Sequence, residues 1–391
     1  MVENTMTPAV AELLERTGTT PRVLPTDPSL LRVTEKVLAG ERLDRDDGIA
    51  LFASHDLLGI GALADWVNRS RNGDRVFITA NQHLNPTNVC ILRATCTFCS
   101  YARRPREEGA YTMDLEEAFQ EAALARDTPV REFHIVGGLH PKLPLSYYED
   151  LIRGLKERHA GVEVKALTAV EIAHLARIEK TGVREVLLRL QAAGLDTMPG
   201  GGAEVFAEGV RRTIAERKLA AAEWLDVHRI AHSLGIRTNC TMLYGHVETF
   251  ADRIDHLLML RALQDETGGF LTYIPLAYHP DNNELGEELG RTGTATTGFD
   301  DLKNLAVARL FLDNFRHIKT HWIMNTMKVS QIALHFGVDD LEGTVRRERI
   351  YHDAGAQTPE WLSFAEIVRI VKDAGKRPVE RNSRYEEVRA W

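Results

Sequence analysis

Along the first 71 residues apolar side chains recur every three or four positions, the spacing of amphipathic helices. It predicts a short helix over Pro8–Arg16, a Pro- and Thr-rich connector to residue 27, and three helices in LLRVTEKVLAGE, DRDDGIALFAS and HDLLGIGALADWVNRSR. Asp44 and Ser54 are expected to cap the second and third, since their oxygens can accept from unpaired first-turn N–H groups. After Asp74 the period changes to short alternating or apolar runs, with strands expected near Val76–Ile78 and His83–Val89. Helix Asp114–Ala125 then leads into strand Glu132–Val136, helix Ser146–Arg158 into Val162–Leu167, and helix Val170–Lys180 into Glu185–Leu190. A helical pair, Ala203–Arg217 and Ala221–Leu234, precedes strand Arg237–Leu243. Helix Phe250–Asp265 leads into Phe270–Pro275, Phe299–Phe311 into His317–Trp322, and Lys328–His335 into Asp339–Thr344. Helix Trp361–Ala374 comes last, and the charge-alternating run RPVERNSRYEEVRAW reads as surface structure.

Counting the strand before residue 90, this gives eight strand–helix units, which imply a parallel sheet with right-handed crossovers. The fold class is therefore α/β, a (β/α)8 TIM-type barrel over residues 76–391 behind an N-terminal helical lead-in over 1–75. An open doubly wound sheet is the alternative, but no glycine fingerprint follows the first strand. A barrel places its active site at the C-terminal ends of its strands.

Composition narrows the setting. Forty-eight basic against 56 acidic residues give a net charge of −8, which argues against a large nucleic-acid footprint. No run approaches the ~18 apolar residues of a membrane span, and the N-terminus lacks a signal-type apolar core. Four cysteines, three of them clustered, do not make a disulfide framework, so the cytoplasm is the expected compartment.

The cluster is Cys90-Ile-Leu-Arg-Ala-Thr-Cys96-Thr-Phe98-Cys99, directly after the first barrel strand. Thiolates are soft metal ligands, and a structural zinc site closes with four protein ligands. An iron–sulfur cluster held by only three cysteines keeps one iron open to another ligand. The bland alternative is zinc with His83 as fourth ligand, at a spacing that matches none of the usual patterns. Cys240, in the alternating stretch TNCTML, reads as a small buried residue. At the end of the second strand stands HIVGG, where Gly137 and Gly138 would let the backbone approach a ligand closely or make a tight turn.

TNVC…CTFC followed by this Gly-Gly pair resembles the radical S-adenosylmethionine (SAM) superfamily. The resemblance implies a [4Fe–4S] cluster on Cys90, Cys96 and Cys99, whose open iron chelates SAM and whose reduction releases a 5′-deoxyadenosyl radical. The usual first gap in that superfamily is three residues, whereas five separate Cys90 from Cys96 here. HIVGGLHP, AGLDTMPGGGAE (Ala193–Glu204), TMLYGHVET (Thr241–Thr249), IPLAYHPDN (Ile274–Asn282) and MKVSQIALHFGVDDLEGTV together look like the aminofutalosine synthases of the futalosine menaquinone pathway. Sister families, the dehypoxanthine futalosine cyclases and the synthase subunits of deazaflavin cofactor biosynthesis, share the barrel. The Val-Gly-Gly-Leu-His-Pro form favours the first, since the sisters tend to carry Gln-Gly-Gly.

The resemblance implies addition of the deoxyadenosyl group to 3-[(1-carboxyvinyl)oxy]benzoate, with rearrangement and loss of a carboxylate, SAM being consumed. A site for this aryl enol-ether dicarboxylate needs polar anchors and exclusion of water. His140, Arg189, His246, His279 and His321 are the candidate anchors, each at an expected strand end and each equally readable as a structural side chain. On the SAM side the candidates are Phe98, Gly137, Gly138, Thr168, Glu171, Glu204 and Tyr244. Thr168 with Glu171 also reads as a capping box, and Glu204 as a helix cap. Asn325, Lys328 and Gln331 follow the seventh strand on either a ligand-facing or a solvated helix face. The expected partners are the small-molecule substrate and a low-potential donor such as flavodoxin or ferredoxin, with no nucleic acid or membrane and a homodimer as the assembly.

Overall fold

The computed structural model describes residues 21–123, 130–293 and 295–391. The helix expected over Pro8–Arg16 lies outside the described residues. The lead-in forms helices Leu31–Ala39, Arg45–Ala53 and Leu57–Asn72. Asp44 caps the second as expected, in a reciprocal box with Asp47. The third is capped by Asp56, whose side chain accepts from Gly59 N. Ser54, the expected cap, instead ends the second helix and bonds Asp27.

These helices pack on the barrel through close contact and charge. A Cβ on Gly48 would come within 2.5 Å of Ile254, and Phe52 stacks on Phe250 at 5.3 Å. Arg42 bridges Asp265 and Asp313 at 2.6 and 2.8 Å.

The strands are β1 (Arg75–Thr79), β2 (Asn81–Leu84), β3 (Glu132–Ile135), β4 (Glu163–Ala166), β5 (Thr197–Met198), β6 (Arg237–Tyr244), β7 (Phe270–Ala277), β8 (His317–Ile318), β9 (Asp340–Gly343), β10 (Arg377–Arg381) and β11 (Glu387–Ala390). β2 to β8 pair in sequence order, all parallel. β1 and β2 are one extended run broken at Ala80, and β9 pairs parallel with β1. Parallel bridges Lys319–Asp340 and Gln82–Arg346 join the two sheets, so the strands close into a TIM-type ring.

Two parts of the sequence reading change. The expected strand Glu185–Leu190 is the middle of helix Val183–Ala193, and the ring strand is the short β5 ten residues later. Its Val-Leu-Leu core mimicked a buried strand, a confusion inherent in short apolar runs. The C-terminal run is not surface structure throughout: β10 pairs parallel with β1, β11 pairs antiparallel with β10, and Arg381 is fully buried. Similarly, β8 ends at Ile318, and helix Trp322–Ala333 begins before the expected Lys328, broken at Thr326 with φ 62°.

The seam of the ring is tied by buried charge. Asp339 accepts from Arg309 Nη2 and His317 Nδ1, each at 2.6 Å, and from Ile318 N at 2.9 Å. Phe77 N donates to the Asp339 carbonyl at 2.7 Å, so one residue joins β8, β1 and a flanking helix. Burial raises the Asp339 pKa, but His317 and Arg309 more than offset this and hold it below its ordinary value. Asp339→Ala strands a fully buried guanidinium, and urea unfolding should show a loss of about 3–5 kcal/mol.

Candidate active site

After β2 the chain runs across the C-terminal mouth of the ring. Asn88 and Cys90 are held by Arg103, through Arg103 N to Asn88 O at 2.8 Å and Cys90 N to Arg103 O at 2.9 Å. The five residues of the long first gap fold into a compact turn, with Arg93 N on Cys90 O (3.2 Å) and both Thr95 N and Cys96 N on Leu92 O (2.9 Å). The turn carries Cys96 back toward Cys90 and Cys99, which explains how this spacing keeps three thiols on one cavity. Thr97 N then bonds Ile214 O at 3.0 Å, and Leu285 N bonds Thr97 O at 2.9 Å, clamping the loop between neighbouring connections.

The cavity encloses about 270 Å³ and is lined by Cys90, Cys96, Cys99, Phe98, Gly137 and Gly138 among others. All three cysteines are free thiols. Burial pushes Cys90 up and Cys96 up to about 12, with nearby Lys218 opposing the rise at Cys96. Among the described residues no three His, Cys, Asp or Glu side chains converge as a single ion requires. Three thiols spread around one cavity suit the corners of an iron–sulfur cube, and the cation of Lys218 beside them suits its negative charge. His83, the fourth ligand of the zinc reading, stacks on His134 at 4.6 Å instead.

Gly137 and Gly138 meet the cysteine strand at backbone contact. A Cβ at Gly138 would lie 2.4 Å from the Val89 carbonyl oxygen, and one at Gly137 would lie 2.9 Å from that of Thr87. Gly138 N donates to Thr87 O at 2.8 Å, so only glycine fits this turn without moving the loop. Thr168 and Glu171 form the capping box of helix Ala169–Glu179 and also line the cavity. Glu171 accepts from Thr168 N with one oxygen (2.7 Å) and from Gly137 N with the other (2.9 Å), tying the helix start to the glycine turn. Burial pushes its carboxyl up to about 7. Glu204, at φ 49°, is held by Lys218 at 2.6 Å, and the ammonium lies 5.2 Å from the Phe98 ring centre.

The cavity is also rich in imidazole. His83, His134, His279 and His321 line it, and each carries a buried ring nitrogen without a partner: Nε2 of His83 and Nδ1 of the other three. His279 Nε2 lies 3.2 Å from the Met324 carbonyl, so the neutral ring donates there and presents Nδ1 as an acceptor. Burial pushes His83 and His134 down to about 3. Beneath them run the ion pairs Lys165–Glu132 (2.7 Å), Lys319–Glu342 (2.8 Å) and Arg381–Asp340 (2.6 Å). Glu348 pairs with His352 at 3.1 Å, and that hydrogen bond chiefly pushes His352 up to about 9.

Of the expected anchors, His279 and His321 line the cavity and the other three do not. Arg189 lies on the misread helix and pairs with Glu149 at 2.7 Å. His140 accepts from Lys142 N, and both nitrogens of His246 are spent on Leu243 O and Val247 N. On the SAM side Tyr244 also points elsewhere: its hydroxyl donates to Asp301 at 2.7 Å and accepts from Asn325 at 3.0 Å. Lys328 is exposed, and Gln331 donates to Ile370 O. Cys240 is a buried thiol outside the cavity, as its alternating stretch suggested. Sequence reasoning missed Lys165, Lys319 and Glu342. Their signal was a charged residue in or just after a barrel strand, where burial demands a partner.

A TIM-type ring with three loop cysteines facing a glycine turn defines the class of radical SAM enzymes. The comparisons agree: the model of the Radical SAM superfamily matches residues 84–260, and that of the CofH/MqnC C-terminal region matches residues 267–391. The chain belongs to the aminodeoxyfutalosine synthase family within that superfamily, and so uses a [4Fe–4S] cluster and SAM. It is 49% identical over 365 residues to the aminodeoxyfutalosine synthase of Thermus thermophilus, covering 93% of this chain and 97% of that one. It is 44% identical over 363 residues to that of Streptomyces coelicolor, covering 91% and 93%. The cyclic dehypoxanthine futalosine synthase of Streptomyces coelicolor is 35% identical over 360 residues, covering 91% and 88%. Among solved structures, the hydrogenase maturase HydG from Carboxydothermus hydrogenoformans superposes with TM-score 0.71 at 19% identity, covering 96% of this chain and 84% of that one. Methylornithine synthase gives 0.69 at 17%, covering 88% and 96%. These structures share the fold. No helix among the described residues is long and apolar enough to cross a membrane.

Two tests follow from this geometry. Gly138→Ala should lower thermal stability by about 1–3 kcal/mol through overpacking and weaken SAM binding, read by calorimetry and by equilibrium dialysis. His83 is held neutral, with a folded value of about 3 against 6.5 when free. Below pH 6.5 the unfolded chain takes up a proton that the folded chain refuses, so stability is level above 6.5 and falls as pH drops toward 3. Urea titrations at pH 7.5 and 5.0 should differ by about 2 kcal/mol more for the parent than for His83→Gln.

Proposed function

We propose that the chain makes aminodeoxyfutalosine from SAM and the enol ether 3-[(1-carboxyvinyl)oxy]benzoate. The observation that carries this reading is likeness of 49% and 44%, over 93% and 91% of the chain, to two aminodeoxyfutalosine synthases, against 35% to a cyclic dehypoxanthine futalosine synthase. SAM is then a substrate: its deoxyadenosyl carbon joins the enol-ether methylene, and a substrate carboxylate leaves as CO2 or bicarbonate.

Cys90, Cys96 and Cys99 would hold the cluster, which supplies the electron that cleaves the SAM sulfonium and frees a deoxyadenosyl radical. The Gly137–Gly138 backbone would receive the SAM amino group, kept in place by Glu171 on Gly137 N. Thr168 and Glu171 stand where they can meet the ribose, and Phe98 and Lys218 border the cysteines. The imidazole wall faces the enol ether. The neutral rings of His83, His134 and His321 each turn one unpartnered nitrogen to the ligand, while His279 offers an acceptor at Nδ1. Because Lys165 and Lys319 are already paired, carboxylate recognition rests on these imidazoles more than on free cations. Leu243, Ile274 and Leu276 line the cavity with apolar surface, which excludes water from a reactive radical.

The test is direct. Anaerobically reconstituted enzyme given titanium(III) citrate, SAM and the enol ether should form the adenosylated product, and Cys96→Ala should abolish it. Release of free 5′-deoxyadenosine with no adenosylated product would point instead to the cyclase type of chemistry and sink the proposal.

A further inference from the structure

Cys90 has two faces. One borders the cavity, and the other borders a shallow depression on the outer surface together with Ile91, Arg93, Ala94, Arg104, Pro105 and Arg106. Half of this depression is the turn that fills the long gap between Cys90 and Cys96. It leaves Leu92 inward and Ile91 half exposed beside the cysteine.

The other half is a second turn, Arg104-Pro105-Arg106-Glu107. Glu107 N donates to Arg104 O at 3.1 Å, with proline in second place and Arg106 at φ 70° in third. This is the type II arrangement, whose third position favours glycine because a side chain there is strained. The chain nevertheless places an exposed arginine at that position. Stability of the turn alone gives no reason for it.

The charge is locally reversed. Between residues 91 and 108 stand Arg93, Arg103, Arg104 and Arg106 against Glu107 and Glu108, in a chain of net charge −8. Arg93 is paired with Glu284 at 3.0 Å and reaches Glu107 at 4.0 Å, while Arg103 bonds the carbonyls of Ser100 and Ala102. Glu107 is engaged with Arg104 N. Among the described residues neither the Arg104 nor the Arg106 guanidinium forms a salt bridge. Two unpaired cations thus flank an exposed isoleucine, separated from the cofactor cavity by Cys90.

We propose that this depression docks an acidic, low-potential electron-carrier protein, which passes its electron to the cluster past Cys90. One electron leaves the carrier's reduced flavin or iron–sulfur group, oxidising it by one, and reduces the cluster by one; no bond is made and no proton is needed. An acidic carrier is repelled by the net charge of −8 of the chain as a whole and drawn to this patch, so charge sets orientation and encounter rate. Exposed Ile91 supplies an apolar contact. The inference rests on the cluster and is independent of the substrate.

The test measures binding of an oxidised FMN flavodoxin to the cluster-loaded enzyme by calorimetry, at low and at high salt. The double variant Arg104→Glu/Arg106→Glu should weaken binding by about tenfold or more at low salt, and salt should weaken binding to the parent. Arg106→Gly should weaken binding while holding or raising the melting temperature, a combination that a structural role for Arg106 would not give. Reduction of the cluster by titanium(III) citrate, followed by paramagnetic resonance, should be equal in all of them. Parent-like affinity in the double variant, no binding to the parent, salt-independent affinity, or an equal loss of chemical reduction would each overturn the proposal. Loss of adenosyl transfer in the parent would bear on the proposed reaction alone.

Discussion

Backbone contact between Thr87–Val89 and Gly137–Gly138 is the constraint on which the site depends. It presses the start of the cysteine loop onto the end of the next strand, so closely that a single methyl group at Gly138 would meet a carbonyl oxygen at 2.4 Å. The three loop cysteines and the glycine turn therefore share one fixed edge of the cavity. Glu171 extends that edge, since one carboxylate closes both its own helix cap and the amide of Gly137. Helix capping and ligand recognition are usually offered as alternatives for such a residue. Here the capping carboxylate also lines the cavity.

The ring supports this edge and supplies the imidazole lining of the cavity. Asp339 and its partners fasten β8 to β1, while the ion pairs of Lys165, Lys319 and Arg381 fill the interior beneath the imidazoles. Such pairs contribute little net stability against an apolar core, but removing one partner is costly, so they fix a single arrangement. Their balance leaves the wall nearly uncharged. Neutral imidazoles with vacant nitrogens suit a ligand that meets them by hydrogen-bond direction as much as by charge.

Much of this was legible in the sequence, for reasons that mark where legibility ends. The cysteine loop and HIVGG carried their chemistry in residue type and position, and helix periodicity located the alternating units. Arg189 failed because Val-Leu-Leu within REVLLRLQ satisfies both a buried strand and an amphipathic helix, and the true strand β5 spans only two residues. His140, His246 and Tyr244 failed differently. Each follows or ends a barrel strand, but side-chain direction is set by the local turn and by partners such as Asp301, which no spacing rule encodes. His83 and His134 lie inside their strands, and only their stacking across neighbouring strands revealed them as part of the wall. The five-residue gap is a local matter of turn hydrogen bonds on Leu92 O, invisible until the chain is folded.

On the proposed reading, the three loop cysteines hold an iron–sulfur cluster with one iron open toward SAM. Electron paramagnetic resonance of the reduced, anaerobically reconstituted protein, recorded with and without SAM and matched to iron and sulfide analysis, tests it most directly. The expected result is about four irons and four sulfides per chain and a cluster signal that changes when SAM is added. Stoichiometric zinc without iron, or a cluster signal indifferent to SAM, would contradict it.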